Sequence, residues 1–302
     1  MGASKKNKYL RRDRVLRAIT EDGQFRAVII KATDLANTAC KKHELNPLAS
    51  LVLSELFVAS LLATVSLKGE ERISLRIDVD GPVKYGVVEA NAAGEVRGYL
   101  GNNELVPESD DPIIMKKIAI GKGKLSVSKT LHSNYQPVTS VVELTESVIA
   151  KDLARYFALS EQVPTAVKIG VRLNENFTIQ SAFGLLLQAL PDADEETILE
   201  LENDIVDHPD LGALFEEEEN LDLVLNHFLK NQKWVELAKT PVDFFCRCGK
   251  DRFLRGLQLL SMKDLIELAS KEQELVCQYC NEKYIVSIKE IQDLIENKNK
   301  SL

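Results

Sequence analysis

Apolar and polar residues alternate through much of the first 191 residues, and this alternation predicts β-strands. Residues 14–19 and 25–30 alternate on either side of a Glu-Asp-Gly turn, which is typical of a β-hairpin. The pattern returns, between short turns, in segments that we interpret as further strands: 73–79, 83–89, 95–100, 123–130, 137–143, 167–173 and 179–190.

Helical spacing of apolar residues interrupts the strands at 33–44, 47–67 and 145–160. Segment 47–67 is apolar and long enough to cross a bilayer, which takes about 20 residues. Glu55 lies near its middle, where an unpaired acid is costly in lipid, and several Ser and Thr residues dilute the run. We therefore expect a buried core helix that begins at Pro47, and we disfavour the alternative of a membrane span.

Charge divides the chain into three regions and indicates an α+β protein with a small additional module. Residues 1–191 carry 25 Lys and Arg against 21 Asp and Glu and predict one large α+β core domain. Residues 192–240, the linker, carry 15 acids against three bases and predict an acidic helical connector. Because like charges four residues apart repel, we expect the linker to be metastable and to dock through leucines: Leu199, Leu201, Leu211, Leu214, Leu221 and Leu225. Residues 241–302 carry ten acids and ten bases and form a small cysteine module.

The composition of the whole chain excludes several classes of protein. The hydrophobic fraction of 45% is sufficient for a packed core. The net charge of -8 argues against a general nucleic-acid binder and against a polybasic membrane-surface protein. The basic residues near the N-terminus are not followed by an apolar run of signal-peptide length, so we expect a cytoplasmic protein.

Four of the five cysteines cluster near the C-terminus, which indicates metal ligands in a reducing compartment rather than extracellular disulfides. Cys246-x-Cys248 is followed by 28 residues and then by Cys277-x-x-Cys280. Two close cysteine pairs can supply the four ligands of a tetrahedral zinc site. The module contains no His, so we predict one Zn²⁺ per chain held by four cysteines. Cys40 stands alone in a predicted helix, where we expect a buried or half-buried free thiol.

The residues around the cysteine pairs predict a small fold that brings the pairs together. Residues 251–260 have a helical pattern, and Ser261 and Ser287 each begin a capping box for a further helix. Residues 275–284 predict a strand that turns at 278–279, so that the second cysteine pair faces one metal.

The spacing of the first pair predicts sensitivity to oxidation. Cys-x-Cys is unusual in structural zinc sites, and a disulfide within it closes a tight ring that is easily reduced. Arg247 and Lys250 add positive charge, which favours thiolates. Because structural zinc contributes about 10–16 kcal/mol to such modules, a module that loses its metal also loses its fold.

This cysteine arrangement, at the end of a chain with an acidic linker, resembles the thirty-three-kilodalton heat-shock chaperone family. The resemblance covers nearly the whole chain apart from residues 1–10. The one departure is Gly249-Lys250, where the family has Ser followed by Arg, and we expect it to affect only a local helix cap. Further matching segments are Asp80-Gly-Pro-Val83, Val87-Val-Glu-Ala90, Gly94-Glu-Val-Arg-Gly98, Ser160-Glu-Gln-Val-Pro164 and Gly184-Leu-Leu-Leu-Gln188.

The resemblance implies a redox-regulated, ATP-independent chaperone (a holdase) rather than an enzyme. In the reduced protein, zinc on the four cysteines would keep the module folded, the linker docked and the chaperone inactive. Hypochlorous acid, or peroxide with heat, would form the disulfides Cys246–Cys248 and Cys277–Cys280 and release the zinc. The module and then the linker would unfold, and the protein would bind client proteins that are losing their own fold. Homodimers would form, and clients would later pass to ATP-driven chaperones.

Two other classes of function are alternatives. A zinc-ribbon adaptor for nucleic acid or a protein partner would present a basic face with aromatic residues near the cysteines, whereas this module is neutral and we interpret Phe253 and Tyr284 as core residues. A thiol oxidoreductase would place its Cys-x-x-Cys at the start of a helix. The sequence has no phosphate-binding loop and no dinucleotide fingerprint. We therefore expect no catalytic residues, and no nucleic-acid or membrane partner.

Overall fold

The computed structural model describes residues 12–131, 134–207, 220–229 and 232–300. The chain divides into two units, of which the first ends at Phe245 and the second begins at Cys246. All four clustered cysteines belong to the second unit.

Two sheets form the frame of the first unit. Sheet 1 contains β1 (Arg14–Thr20), β2 (Phe25–Lys31), β8 (Thr165–Leu173), β9 (Ile179–Ala189) and β10 (Trp234–Pro241). Sheet 2 contains β3 (Arg72–Val79), β4 (Tyr85–Asn91), β5 (Glu95–Leu100), β6 (Gly123–Leu131), β7 (Asn134–Leu144) and β11 (Asp243–Phe244). The strand orders are β10-β1-β2-β9-β8 and β11-β5-β4-β3-β6-β7. Neighbouring strands are antiparallel, apart from β11 beside β5.

The strands predicted up to residue 190 and the α+β class are confirmed. In the first hairpin, Ile19 pairs with Arg26, and Gly23 in the turn has a φ of 74°, which glycine adopts without strain.

The helix predicted over 47–67 is confirmed as the core of the first unit. Helix α1 (Thr33–His43) precedes α2 (Pro47–Leu62), which continues as a 3₁₀ turn to Ser66. Asn46 caps α2 by accepting a hydrogen bond from the Ala49 amide at 2.9 Å. By length and composition this helix could cross a membrane, yet residues 48–65 are all buried, packed with residues of both sheets.

Glu55, the acid in the middle of α2, is buried and forms an ion pair with Lys116. Lys116 lies on α3 (Pro112–Ile120), which begins with Pro112 and is capped by the Asp111 carboxylate. Helix α3 was not predicted. Three of its four isoleucines are exposed, so its apolar residues do not mark one buried face.

The helix predicted over 145–160 begins later than expected. Helix α4 runs from Ile149 to Tyr156 and is followed by one wide turn, Phe157–Glu161. The Asp152 carboxylate accepts hydrogen bonds from the Thr145 and Val148 amides at 3.0 and 3.1 Å. These bonds hold the preceding loop in a non-helical path.

The described part of the linker covers the face of sheet 1 that points away from α2. Helices α5 (Glu195–Asp207) and α6 (Leu221–Phe228) place apolar side chains on this face. The cluster joins Ile205, Leu221, Val224, Leu225, Phe228 and Leu229 to Leu16, Ala18, Phe25, Ala27, Ile29, Phe183, Leu185 and Leu187.

Two expectations for the linker are corrected. Residues 234–240 belong to β10 and not to a helix, because they pair along the edge of β1, where the two strands complete each other's backbone hydrogen bonds. Leu199 is 60% exposed and does not dock, whereas Leu221 and Leu225 are buried as predicted. The side chain of Leu201, and the whole of Leu211 and Leu214, lie outside the described residues.

The second unit is a small helical fold around one hairpin. Its elements are α7 (Lys250–Leu257), α8 (Met262–Leu268), β12 (Gln273–Val276), β13 (Lys283–Val286) and α9 (Ile288–Lys300). Leu265, Val286 and Ile291 form its buried centre. Both predicted capping boxes are confirmed: Ser261 accepts from the Asp264 amide at 3.2 Å, and the Ser287 amide donates to Glu290 at 2.9 Å.

Candidate metal centre

The second cysteine pair lies in a tight turn between β12 and β13. The Cys277 amide donates to the Glu282 carbonyl at 2.9 Å, and the Cys277 carbonyl accepts from the amides of Cys280 and Asn281 at 3.3 and 2.7 Å. Asn281 has a φ of 58°, a left-handed conformation that asparagine tolerates. This local bonding holds both sulfurs of the pair on one side of the turn.

The four clustered sulfurs lie within 4.8 Å of one another. The Cys246 and Cys277 sulfurs are 3.8 Å apart, and the Cys248 and Cys280 sulfurs are 3.3 Å apart. A tetrahedral zinc site with Zn–S bonds of about 2.3 Å has sulfurs about 3.8 Å apart. These cysteines are not joined in disulfides, since a disulfide would need a sulfur–sulfur distance near 2 Å. Their spacing therefore fits four ligands around one metal ion.

The four thiols differ in exposure, and the surroundings of Cys248, Cys277 and Cys280 shift the pKa of each of these three. Cys277 and Cys280 are buried, and burial raises the pKa of both thiols; Cys246 and Cys248 are half-buried. Burial acts in the same direction on Cys248, but hydrogen bonds from Tyr284 and the neighbouring sulfurs outweigh it and hold the pKa of this thiol below its usual value. A bound cation would favour the thiolate form of all four.

The Tyr284 hydroxyl lies 3.2 Å from the Cys248 sulfur and is part of the site. The interpretation of Tyr284 as a core residue is therefore incomplete. Its ring packs on Phe253 with centroids 5.3 Å apart, but both side chains are half-buried and neither belongs to the buried centre of the unit. The contact with Cys248 spans 36 positions, and nothing in the local sequence pattern indicates it.

The sequence suggested that the charge of Lys250 would favour the cysteine thiolates, but the structure pairs this charge with a carboxylate. Its ammonium group forms an ion pair with Glu290 at 2.7 Å, which ties the start of α7 to the first turn of α9. Its charge is therefore compensated by Glu290. The hydrogen bond from Tyr284 is the better explanation for the low pKa of Cys248.

Cys40 lies in α1 of the first unit, outside the cluster, as predicted. It is half-buried, and its sulfur lies 3.9 Å from the Ser54 hydroxyl. Burial raises the pKa of this thiol, so it is poorly reactive at neutral pH.

Comparison with known proteins identifies the family. A family model described as Hsp33 protein matches residues 13–287, which include both cysteine pairs. The chain belongs to the Hsp33 family. The resemblance noted from the cysteine spacing is thereby confirmed. Members of this family are chaperones and not enzymes, which favours a chaperone over an adaptor or an oxidoreductase and implies that client proteins are bound.

Several relatives are similar over almost their full length. The 33 kDa chaperonin of Lactococcus lactis subsp. cremoris (strain MG1363) is 31% identical over 94% of this chain and 99% of the relative. That of Lactobacillus delbrueckii subsp. bulgaricus is 36% identical over 95% of this chain and 98% of the relative. The crystal structure of the 33 kDa chaperonin of Thermotoga maritima superimposes with a TM-score of 0.89 at 29% identity, covering 96% of this chain and 99% of that chain.

Proposed function

We propose that this Hsp33-family chaperone is an ATP-independent holdase of the cytoplasm that is switched on by oxidation. Cys246, Cys248, Cys277 and Cys280 would hold one Zn²⁺ in the reduced, inactive protein. The observation that carries this proposal is the convergence of four cysteine sulfurs, not joined in disulfides, within 4.8 Å of one another in a separate small unit.

The zinc ion, when bound, would keep the four sulfurs as thiolates and cross-link the two cysteine pairs. In the described part of the second unit, four apolar residues are buried besides the two cysteines (Leu265, Val286, Ile291 and Leu294), a core too small for independent stability. Its fold would therefore depend on the cross-link.

Oxidation would remove the ligands in pairs. Peroxide takes two electrons from a pair of zinc-bound thiolates, so that one disulfide forms, and with two protons from solvent the peroxide becomes two water molecules. We propose the pairs Cys246–Cys248 and Cys277–Cys280. The contacts at 3.8 and 3.3 Å join sulfurs of different pairs, so support for the pairing comes from the family resemblance and not from these distances.

Loss of the second unit would then release the linker. Helices α5 and α6 and strand β10 occupy the outer face and one edge of sheet 1. With 15 acids against three bases, the linker is held mainly by its apolar contacts with sheet 1 and by the pairing of β10 with β1. Its departure would expose apolar side chains of sheet 1, among them Phe25, Phe183 and Leu185, to unfolding clients. We further propose that the oxidised protein forms homodimers. Clients would later pass from it to ATP-driven chaperones.

Suppression of client aggregation tests this function. The reduced, zinc-loaded protein should leave the aggregation of a heat-denatured enzyme unchanged, and the peroxide-treated protein should suppress it without ATP. Zinc release, followed with a chromogenic chelator, should accompany the gain in activity. Equal suppression by both forms would refute the redox switch.

A further inference from the structure

We propose that Tyr284 is a positioning residue that restrains the oxidation of Cys248 through a hydrogen bond to its sulfur. This inference rests on the proposed function, because it concerns the rate at which the cysteine switch responds. Tyr284 lies on β13, four positions beyond the second cysteine pair, yet its hydroxyl contacts a sulfur of the first pair at 3.2 Å.

The ring of Tyr284 is held in place by the same elements that carry the cysteines. It packs on Phe253 of α7, the helix that begins two residues after Cys248. The strand that carries Tyr284 pairs with β12, and Leu275 lies opposite Tyr284 in that pairing. The packing of the ring on Phe253 and the pairing of β13 with β12 therefore direct the Tyr284 hydroxyl at Cys248.

The direction of the hydrogen bond follows from the state of the sulfur. A sulfur bound to zinc carries no proton, so it accepts, and the Tyr284 hydroxyl donates. A donated hydrogen bond withdraws electron density from the thiolate and occupies one of its lone pairs. Both effects make the sulfur a weaker nucleophile.

The exposure of the thiols makes this restraint relevant. Cys277 and Cys280 are buried, whereas Cys246 and Cys248 are half-buried and within reach of a small oxidant; of these two, Cys248 is the one that the Tyr284 hydroxyl contacts. The Cys248 thiolate would attack one oxygen of peroxide, so that an S–O bond forms, the O–O bond breaks and hydroxide leaves. The Cys246 thiolate would then attack the sulfur of the resulting sulfenic acid, so that the S–S bond forms, the S–O bond breaks and hydroxide leaves, to be protonated by solvent. The hydrogen bond from Tyr284 slows the first of these steps.

Tyr284→Phe removes the hydroxyl and keeps the ring that packs on Phe253. Tyr85→Phe makes the same chemical change on β4 of the first unit and is the matched control. Zinc release and alkylation of each cysteine are followed after addition of peroxide to the zinc-loaded proteins. We expect Tyr284→Phe to lose zinc about tenfold faster than wild type, with Cys248 oxidised first, and Tyr85→Phe to behave as wild type.

Spectra of the proteins with cobalt(II) in place of zinc distinguish loss of the hydrogen bond from a general loosening of the fold. A more electron-rich sulfur shifts the sulfur-to-cobalt charge-transfer band to longer wavelength in Tyr284→Phe. Faster zinc release without this shift, or an unchanged rate, overturns the inference. Phe253→Leu keeps the hydroxyl but removes its support, and should shift the band in the same direction by a smaller amount. A wild-type protein that binds no zinc, or keeps it in peroxide, refutes the proposed function itself.

Discussion

Lys239 holds Asp222 through both oxygens of its carboxylate, each at 2.8 Å. Lys239 lies on β10 and Asp222 in the first turn of α6, so this ion pair joins the strand and the helix of the linker. Both side chains are partly buried, with 20% and 31% of their surface exposed. The pair is therefore less screened by solvent than a fully exposed one.

Lys239→Met should loosen the linker without unfolding the rest of the first unit. Loss of the ion pair should cost about 1 kcal/mol, seen as faster amide exchange across 221–241. The exposed pair of Lys151 and Glu146 offers a control, because Lys151→Met should leave exchange in these residues unchanged. Equal exchange in both variants would show that the Lys239 ion pair does not hold the linker.

Leu225 and Leu221 of α6 are buried on sheet 1, whereas Leu223 of the same helix is 50% exposed. Changing Leu221 and Leu225 together to Ser should undock the linker even with zinc bound, because each buried leucine contributes about 2–5 kcal/mol. The reduced variant should then suppress client aggregation, and Leu223→Ser should not. A double variant whose linker exchanges freely while its chaperone activity stays off would separate linker release from activation.

Metal analysis of cysteine variants tests the ligand set. The reduced wild-type protein should carry one zinc per chain, and Cys280→Ser should abolish tight binding because it leaves three sulfur ligands around a buried position. Cys40→Ser should retain both the zinc and the response to oxidants, since Cys40 lies in a different unit. Zinc retained by Cys280→Ser, or lost by Cys40→Ser, would contradict the four-cysteine site.

Asp13 should make stability depend on pH. Burial, and to a smaller extent the charge of Asp34, raise the pKa of its carboxyl to about 7, against the hydrogen bond that it accepts from the Leu35 amide. The folded state therefore binds this proton more tightly than the unfolded state does. The resulting stabilisation is complete below the unfolded pKa near 4 and is lost as pH rises towards 7.

Asp13→Asn should remove this pH dependence, because an amide does not titrate in this range. The free energy of unfolding of wild type relative to Asp13→Asn should fall by a few kcal/mol between about pH 4 and pH 7 and stay level above it. Denaturant titrations of both proteins at each pH measure the two free energies of unfolding. Both proteins contain the same cysteines, so the contribution of cysteine titration cancels in the difference. A flat difference for Asp13→Asn would refute the raised pKa of Asp13.

Sequence patterns predicted those elements whose conformation depends mainly on residues close by in the chain. The first hairpin follows from alternation around Gly23, and the capping boxes at Ser261 and Ser287 need only residues three positions away. Helix α2 could be assigned to the core because Glu55 and the hydroxyl residues are unfavourable in lipid.

Features that depend on distant residues could not be predicted in this way. Strand β10 has a weak pattern of its own and becomes a strand because β1 offers it an edge. The contact between Tyr284 and Cys248 requires the folded module, and so does the compensation of Lys250 by Glu290. The cysteine cluster was predictable because metal coordination imposes a recognisable spacing on its ligands.

The pairing of β10 with β1 also sets an order of events during folding. These two strands come from opposite ends of the first unit, so closing the chain between them costs more entropy than forming the hairpin of β1 and β2. The hairpin can form early, whereas β10 adds to an edge that must already exist. The linker strand can therefore join sheet 1 after the hairpin that provides its edge. It lies outermost, so it can leave and return without the other four strands having to separate.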